Sequence, residues 1–251
     1  MAHDEHKSDQ PLASKTYLVS AGIVGLVAIL GLAVVGIILW PESEEEAAPP
    51  AAASPTSDPS PESTTAPVGD ESICGLPASD ETSIDEPPVD TEWEFVGTME
   101  APLVPEAGPG MVADNGFRQC YAHSPEGALL AAANMLAMGT DPNLVVELNE
   151  ELVADGPGRD AVLADLESNP PTSDTGIRMS IAGYRLLGYG PDHARIDLAV
   201  EGSNDSIASM TTDLKWEDGD WKIELRPDGQ PIIPVGQLAD TVGYTAWSTE
   251  S

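Results

Sequence analysis

The sequence predicts an α+β fold: an N-terminal transmembrane helix, a disordered acidic Pro-rich linker, and a domain of about three helices packed on a curved antiparallel sheet. Three observations predict this arrangement. Residues 16–40 form one uncharged apolar stretch. Residues 41–90 are dominated by Pro, Ser, Thr, Ala and acids. After residue 118 the apolar periodicity changes from helical to alternating.

The apolar stretch at residues 16–40 has the length and the ends of a membrane-spanning helix. None of its 25 residues is charged. At 1.5 Å per residue such a helix measures about 37 Å, which exceeds the ~30 Å hydrocarbon core. Tyr17 and Trp40 lie at its two ends, where aromatic rings prefer the membrane interface, and Pro41 then ends the helix.

The charges that flank this stretch predict its orientation. Lys7 and Lys15 precede it, and the next basic residue after it is Arg118. The positive-inside rule therefore places residues 1–15 in the cytoplasm and the chain after residue 41 outside, so we expect a single-pass protein of the cell membrane. A cleaved signal peptide is the alternative, but its apolar core is normally only about 7–15 residues long.

The linker at residues 41–90 has almost no large apolar side chains, so it cannot offset the entropy of its own ordering. We expect a disordered spacer that Pro and like charges keep extended, with a wall-crossing stalk or a partner-binding segment as alternatives.

From Trp93 onward apolar residues return among several Pro and Gly residues, and we expect residues 91–117 to form an extended arm packed along the domain.

The charge of the chain excludes one class of function. It carries 43 acidic and 10 basic residues, a formal net charge of −33. A polyanion is repelled by nucleic-acid backbones and by anionic lipid surfaces, so we expect no direct DNA or RNA binding.

Cys74 and Cys120 are the only cysteines, and both lie on the predicted outer side. An isolated pair in an oxidising compartment most often forms a disulfide. Closing a loop of about 46 residues would contribute about 3–4 kcal/mol. Two free thiols and pairing between subunits remain alternatives. Two cysteines without a nearby His pair are too few ligands for a metal, so we expect neither a metal site nor a cofactor.

The first part of the domain, which we assign to residues 118–251, carries three helix signals. Ser-Pro-Glu at 124–126 predicts a capped start, and the following helix to residue 138 is apolar on all sides, which indicates burial. Asp-Pro at 141–142 repeats the start signal before a second helix. A short third helix is expected to end at Asn169.

Alternating apolar residues then predict antiparallel strands around residues 177–181, 193–201 and 210–225. Asp218-Gly219 is a strong hairpin-turn signal, and we expect Trp216 and Trp221 on either side of it to form the core of this hairpin. Residues 231–247 are apolar but irregular, and are predicted either to cover a sheet edge or to form a partner-binding tail.

The segment LKWEDGDWKIEL at residues 214–225 resembles the last hairpin of the cystatin-like cone fold typified by nuclear transport factor 2. This resemblance implies a cone-like domain. The complete order of tail, anchor, spacer and outer domain is similar to that of bitopic assembly subunits of type IV secretion systems. Ile73–Pro77, Trp93–Gly97 and Cys120–Ala128 resemble stretches of anchored proteins of actinobacterial conjugative elements, a family that supplies no catalytic residues.

No catalytic signature accompanies these features, because the chain has no His-based metal motif, nucleophile elbow or P-loop. We interpret His123 as a capping or packing residue and His193 as a residue on the solvent face of a strand. Tyr184, Tyr189 and Asp197 are the loose candidates for acid–base chemistry on the concave face of a cone.

Two acidic groups are the candidates for cation binding, namely Glu150-Glu151 and the trio Glu217, Asp218 and Asp220. The favoured interpretation of both is structural: a solvated helix face for the first and a turn for the second.

The sequence therefore predicts a non-enzymatic scaffold of a cell-envelope DNA-transfer machine, of the conjugation or type IV secretion kind. Its expected partners are membrane proteins of the channel, with self-association as a further expectation, and nucleic acid would be handled by those partners. The alternatives are a scaffold of another envelope complex such as a lipid-import system, or a stalked pocket-bearing enzyme or small-ligand binder.

Overall fold

The computed structural model describes residues 71–172 and 178–249. Within these ranges, none of the helices is long and apolar enough to cross a membrane. The predicted tail, the predicted span at residues 16–40 and most of the predicted linker lie outside the described residues. The described residues comprise the folded domain and the segment that leads into it.

The described chain has α+β content, with three helices and a curled sheet. The helices are α1 (Pro125–Met138), α2 (Val145–Glu151) and α3 (Pro157–Ser168). The strands are β1 (Glu92–Val96), β2 (Met99–Leu103), β3 (Met111–Val112), β4 (Arg118–Gln119), β5 (Met179–Gly190), β6 (His193–Gly202), β7 (Ile207–Glu217), β8 (Asp220–Ile223), β9 (Gly236–Leu238) and β10 (Thr245–Ala246).

The main sheet has the strand order β1-β2-β5-β6-β7-β8. All neighbouring pairs are antiparallel except β2 and β5, which pair in parallel at a single position. Two short strands extend it, since β10 pairs with β5 and β9 pairs with β7. Strands β3 and β4 form a separate two-stranded sheet.

Helix α1 lies at the centre of the domain, as its all-round apolar sequence predicts. Twelve of its 14 residues are buried. The Ser124 hydroxyl accepts from the Gly127 amide at 3.0 Å and caps the helix, and Pro125 occupies its first turn. The buried amide of Asn134 donates to the carbonyls of Leu130 (2.9 Å) and Pro102 (2.8 Å), which ties the helix to β2.

Helix α2 begins three residues later than its Asp-Pro signal suggests. The Asp141 carboxylate accepts from the Asn143 amide at 2.9 Å, and this Asx turn competes with the first helical turn. The apolar residues at helical spacing in this stretch still share one buried face, because Leu144, Leu148 and Leu152 are all buried.

The β7–β8 hairpin turns at the predicted dipeptide. Asp218 and Gly219 both have positive φ, 56° and 79°, as a type I′ turn requires. Trp216 and Trp221 are cross-strand partners whose ring centroids lie 5.2 Å apart. Trp221 is fully buried and donates from Nε1 to the Ala122 carbonyl at 3.0 Å, so this pair joins the hairpin to the start of α1.

Residues 91–117 were expected to form an extended arm packed along the domain, and part of them belongs to the main sheet. Trp93 and its neighbours form the β1–β2 hairpin, which is part of the main sheet. Pro102 suggested irregular backbone, but a proline is tolerated here because no partner strand requires its missing N–H. The folded unit therefore begins before residue 118.

The C-terminal segment packs against its own sheet. Strand β9 pairs with the start of β7, β10 pairs with the middle of β5, and Trp247 is buried at 3% exposure. Residues 231–247 were predicted either to cover a sheet edge or to form a partner-binding tail. The structure agrees with the first prediction, because this segment packs on the sheet.

Candidate functional site

The three candidates for acid–base chemistry lie on opposite faces of the sheet. Tyr184 pairs across strands with Leu198, and Tyr189 pairs with Ala194, so both tyrosines face the buried core. Successive side chains of a strand point to opposite faces of the sheet. Asp197 lies next to a core-facing position of β6, so its side chain faces away from that core. The structure therefore does not bring the aspartate and the tyrosines together.

Asp197 is nevertheless buried, at 1% exposure, because the C-terminal segment covers it. Its carboxylate accepts from Ser209 Oγ (2.7 Å), Tyr244 OH (2.7 Å) and the Arg185 guanidinium, whose Nε lies at 3.1 Å. Burial raises the pKa of Asp197, but the hydrogen bonds from Ser209, Arg185 and Tyr244 outweigh it and hold the pKa below its usual range.

This network attaches the C-terminal segment to the sheet. Arg185 donates to Tyr244 OH at 2.9 Å, and its guanidinium carbon lies 4.1 Å from the Tyr244 ring centroid. The network joins β5, β6 and β7 to residue 244 through one carboxylate. A buried carboxylate with this many donors stabilises a fold and is a poor proton acceptor.

Tyr184 is buried in the core, and Tyr189 is partly buried and packs against it. Tyr184 lies edge-on to Trp247, with ring centroids 5.8 Å apart, and Tyr189 lies 5.9 Å from Trp221. Burial is the main cause that raises the pKa of each phenol to about 12. Both groups are therefore protonated at neutral pH and unsuited to act as a general base.

His123 packs within the hairpin core. Its ring stacks on Trp216 at 4.0 Å with an interplanar angle of 5°, and its Nε2 contacts the Pro191 carbonyl oxygen. This agrees with the packing role predicted for it. His193 is exposed at the start of β6, as predicted.

Asp220 is the functional group that sequence reasoning placed wrongly. Its carboxylate is buried and accepts three backbone N–H groups, from Cys120 (2.6 Å), Tyr121 (3.0 Å) and Trp221 (2.8 Å). Burial outweighs these donors and raises its pKa to about 6. The sequence holds one signal for this inward position: Asp220 directly precedes a buried Trp at the start of a strand.

The three acids considered as a cation-binding candidate, Glu217, Asp218 and Asp220, are thereby divided, and the favoured structural interpretation of this group was a turn. Asp220 faces inward, whereas Glu217 pairs with Lys215 at 2.5 Å and Asp218 pairs with Lys222 at 2.8 Å. The other candidate pair, Glu150-Glu151, is exposed at the end of α2. Among the residues that the structure describes, no group of three or more His, Cys, Asp or Glu is placed to hold a metal ion.

A disulfide fastens the segment before the domain. Cys74 and Cys120 are bonded, with an S–S distance of 2.00 Å. Beside this bond, the Ile73 amide donates to the Gly219 carbonyl at 2.9 Å, and Ser72 is buried. Residues 72–76 are therefore fixed against the β7–β8 turn.

An acidic groove of about 420 Å³ lies between the segment at residues 77–90, the loop at 104–107 and the start of α1. Its carboxylates are Glu81, Asp90, Glu106 and Glu126. Burial, and then the charges of Glu81 and Glu106, raise the pKa of Glu126. The groove therefore has a negative potential that suits a basic partner. Sequence reasoning missed it because its acids are scattered along the chain.

A smaller cavity of about 190 Å³ lies at the start of α3. Its basic lining residues are Arg159, Lys215 and His193, but Arg159 pairs with Asp155 and Lys215 pairs with Glu217. These ion pairs neutralise much of its positive charge.

Comparison with known proteins gives one match. The model of a family described as a domain of unknown function (DUF8175) matches residues 53–246, which is 194 of the 251 residues. No curated protein and no solved structure matches the chain.

Proposed function

We propose that this chain, which belongs to the DUF8175 family, is a membrane-anchored, non-enzymatic scaffold of a cell-envelope DNA-transfer machine of the conjugation or type IV secretion kind. One observation supports the anchored, extracytoplasmic part of the proposal: the Cys74–Cys120 disulfide, in a domain that comes after an uncharged stretch of 25 residues. The DNA-transfer role rests on the sequence resemblance of Ile73–Pro77, Trp93–Gly97 and Cys120–Ala128. Disulfides persist outside the cytoplasm, and the stretch has the length of a membrane anchor.

The state of the chemistry-bearing side chains supports a structural role. Asp197 is enclosed by three donating side chains, and Asp220 is enclosed by three backbone amides. Tyr184 packs in the core and Tyr189 packs against it. Asp197 and Asp220 each hold separate parts of the domain together, which is the use of polar chemistry expected in a scaffold.

The acidic groove supports partner binding through protein contacts. Its four carboxylates complement a basic segment of another protein, and like-charge repulsion opposes nucleic acid. The partners of the chain would then handle the transferred DNA. The groove volume also lies in the range of small-molecule pockets, so a stalked binder of a cationic small ligand is the second candidate.

Genetic complementation tests the proposal. A strain that carries the transfer machine but lacks this chain is complemented with the wild type, with Glu106→Lys in the groove, or with Glu150→Lys on the exposed end of α2 as a matched charge reversal. We expect mating frequency to fall in the deletion strain and with Glu106→Lys, and to be restored by the wild type and by Glu150→Lys. Normal mating in the deletion strain would refute the proposal.

A thermal-shift screen of polyamines and other small cations tests the second candidate. A saturable rise in melting temperature that Glu106→Lys abolishes and Glu150→Lys preserves would favour the ligand binder over the scaffold.

A further inference from the structure

Strand β1 forms one edge of the main sheet, and its geometry shows where its outward hydrogen-bonding groups lie. The hairpin turn at residues 97–98 sets Val96 opposite Met99, so the hydrogen-bonded pairs of β1 and β2 fall at Val96, Glu94 and Glu92. The alternate positions, Trp93 and Phe95, direct their backbone N–H and C=O groups away from β2.

Pro102 supports this assignment. It lies opposite Trp93, and a residue without an N–H fits only a position where no ladder hydrogen bond is made. Its carbonyl accepts instead from Asn134 of α1. Among the described residues, the outward backbone groups of Trp93 and Phe95 have no hydrogen-bond partner.

The opposite edge of the sheet is closed. The Ile223 amide of β8 donates to the Leu152 carbonyl at 2.7 Å, and the Ala154 amide donates to the Ile223 carbonyl at 2.9 Å. Proteins usually cover or block an exposed edge because it pairs readily with another strand. Within the described part of the chain, β1 has no such cover.

The side chains of β1 alternate between aromatic and acidic. Phe95 is 61% exposed, with the guanidinium carbon of Arg178 5.5 Å from its ring centroid. Trp93 packs against Trp247 at 5.0 Å, which holds this part of the strand in place. Glu92 is exposed, and Glu94 is 58% exposed although it pairs with Arg118 at 2.5 Å.

We propose that the β1 edge is a docking site for an extended segment of a partner protein in which basic side chains alternate with apolar ones. Such a strand would pair with the free groups of Trp93 and Phe95, set apolar side chains beside the aromatic rings, and set basic ones beside Glu92 and Glu94. The docking site would be the same whichever envelope machine the chain serves.

A second copy of the chain fits this edge poorly. Antiparallel self-pairing about the centre of β1 sets Glu94 directly opposite Glu94, and like charges in that position are destabilising. Two chains of net charge −33 also repel each other.

Hydrogen exchange of the full-length chain in nanodiscs tests the docking site. The probe is a short, end-blocked peptide of alternating valine and lysine, and its control is the same peptide with N-methylated amides, which keeps the charge but loses the ladder donors. We expect the Trp93 and Phe95 amides to exchange rapidly in the free chain and at least about tenfold more slowly with the probe, because each gains a hydrogen bond.

Three results would overturn the proposal. The first is equal protection by both peptides, which would show that charge alone binds the probe. The second is no protection at these two amides with saturating probe. The third is protection without peptide that rises with protein concentration, which would show that a second copy fills the edge.

A variant tests the same edge independently. Phe95→Pro removes one outward N–H without disturbing the β1–β2 ladder, and Phe95→Ala keeps that N–H while removing the ring. We expect probe affinity to fall about tenfold or more with Phe95→Pro and less with Phe95→Ala. Val242→Ala, at another exposed apolar residue, should bind as the wild type does. If both Phe95 variants bind as the wild type, the edge is not the docking site.

Discussion

Asp220 is expected to make the folded domain less stable as the pH rises from about 4 to about 7. Its buried carboxylate has a pKa of about 6, whereas an ordinary Asp titrates near 3.8. The folded chain therefore holds this proton more tightly than the unfolded chain does. By linkage, the folded state gains stability as acid protonates Asp220, and loses that gain as the pH rises through about 6.

The size of this effect is set by the two pKa values. A rise from 3.8 to about 6, at 1.36 kcal/mol per pH unit, corresponds to about 3 kcal/mol. Asp220→Asn removes the titration. The asparagine amide would also direct a donor at the Cys120 N–H, where the carboxylate accepts at 2.6 Å, and this cost is independent of pH. We therefore compare the free energy of unfolding of wild type and variant at each pH. The diagnostic quantity is how the difference between these two free energies changes with pH.

Urea unfolding of the full chain in detergent, monitored by tryptophan fluorescence, measures this quantity, since Trp216 and Trp221 lie beside Asp220. Relative to Asp220→Asn, the wild type should become more stable by about 3 kcal/mol on going from about pH 7.5 to about pH 3.5. Asp218→Asn is the matched control. Lys222 lowers the pKa of exposed Asp218, so the stability difference between wild type and Asp218→Asn should change little with pH, and in the opposite direction. A difference between wild type and Asp220→Asn that does not change with pH would refute the reasoning.

Three further predictions concern the groups that hold the domain together. Reducing the Cys74–Cys120 bond should lower the free energy of unfolding by about 4 kcal/mol, measured by urea unfolding with and without reductant, and an unchanged midpoint would contradict this. Asp197→Asn should lower the free energy of unfolding by about 2–4 kcal/mol at neutral pH and speed proteolysis beside Tyr244. Because the pKa of Asp197 is depressed in the folded state, the stability that ionised Asp197 contributes should persist above pH ~4 and vanish as acid protonates the carboxylate. Trp221→Ala should cost about 3–5 kcal/mol in the same unfolding assay, and a loss under about 1 kcal/mol would show that the hairpin is not part of the core.

Local signals account for the elements that sequence reasoning predicted well. The cap and proline at 124–125 and the all-apolar run after them specify α1 without tertiary information. The Asp218-Gly219 dipeptide specifies the β7–β8 turn because few residues accept positive φ at both positions. These features depend on neighbours within a few residues.

The features that were missed depend on contacts far apart in sequence. Asp197 was a loose candidate for acid–base chemistry, but Tyr244, 47 residues later, covers it and makes it a buried structural anchor. Residues 91–117 were predicted to form an extended arm because of their several Pro and Gly residues, but one of these, Pro102, lies in a strand and its carbonyl accepts from Asn134 of α1. Neither partner can be identified from local pattern alone.

The candidate site was the least predictable part. Three of the groove carboxylates, Glu81, Glu106 and Glu126, come from separate segments, and nothing in their spacing indicates that they converge. In a chain with 43 acidic residues, single acids also carry little information.

In-cell cross-linking of the tagged full-length chain, with mass spectrometry of the products, tests the proposed function most directly. We expect cross-links to polytopic subunits of a transfer channel and to its ATPase, with the cross-linked residues of this chain outside the cytoplasm and after residue 41. Reproducible cross-links to lipid-import proteins, or to no envelope protein except the chain itself, would contradict the proposed scaffold role.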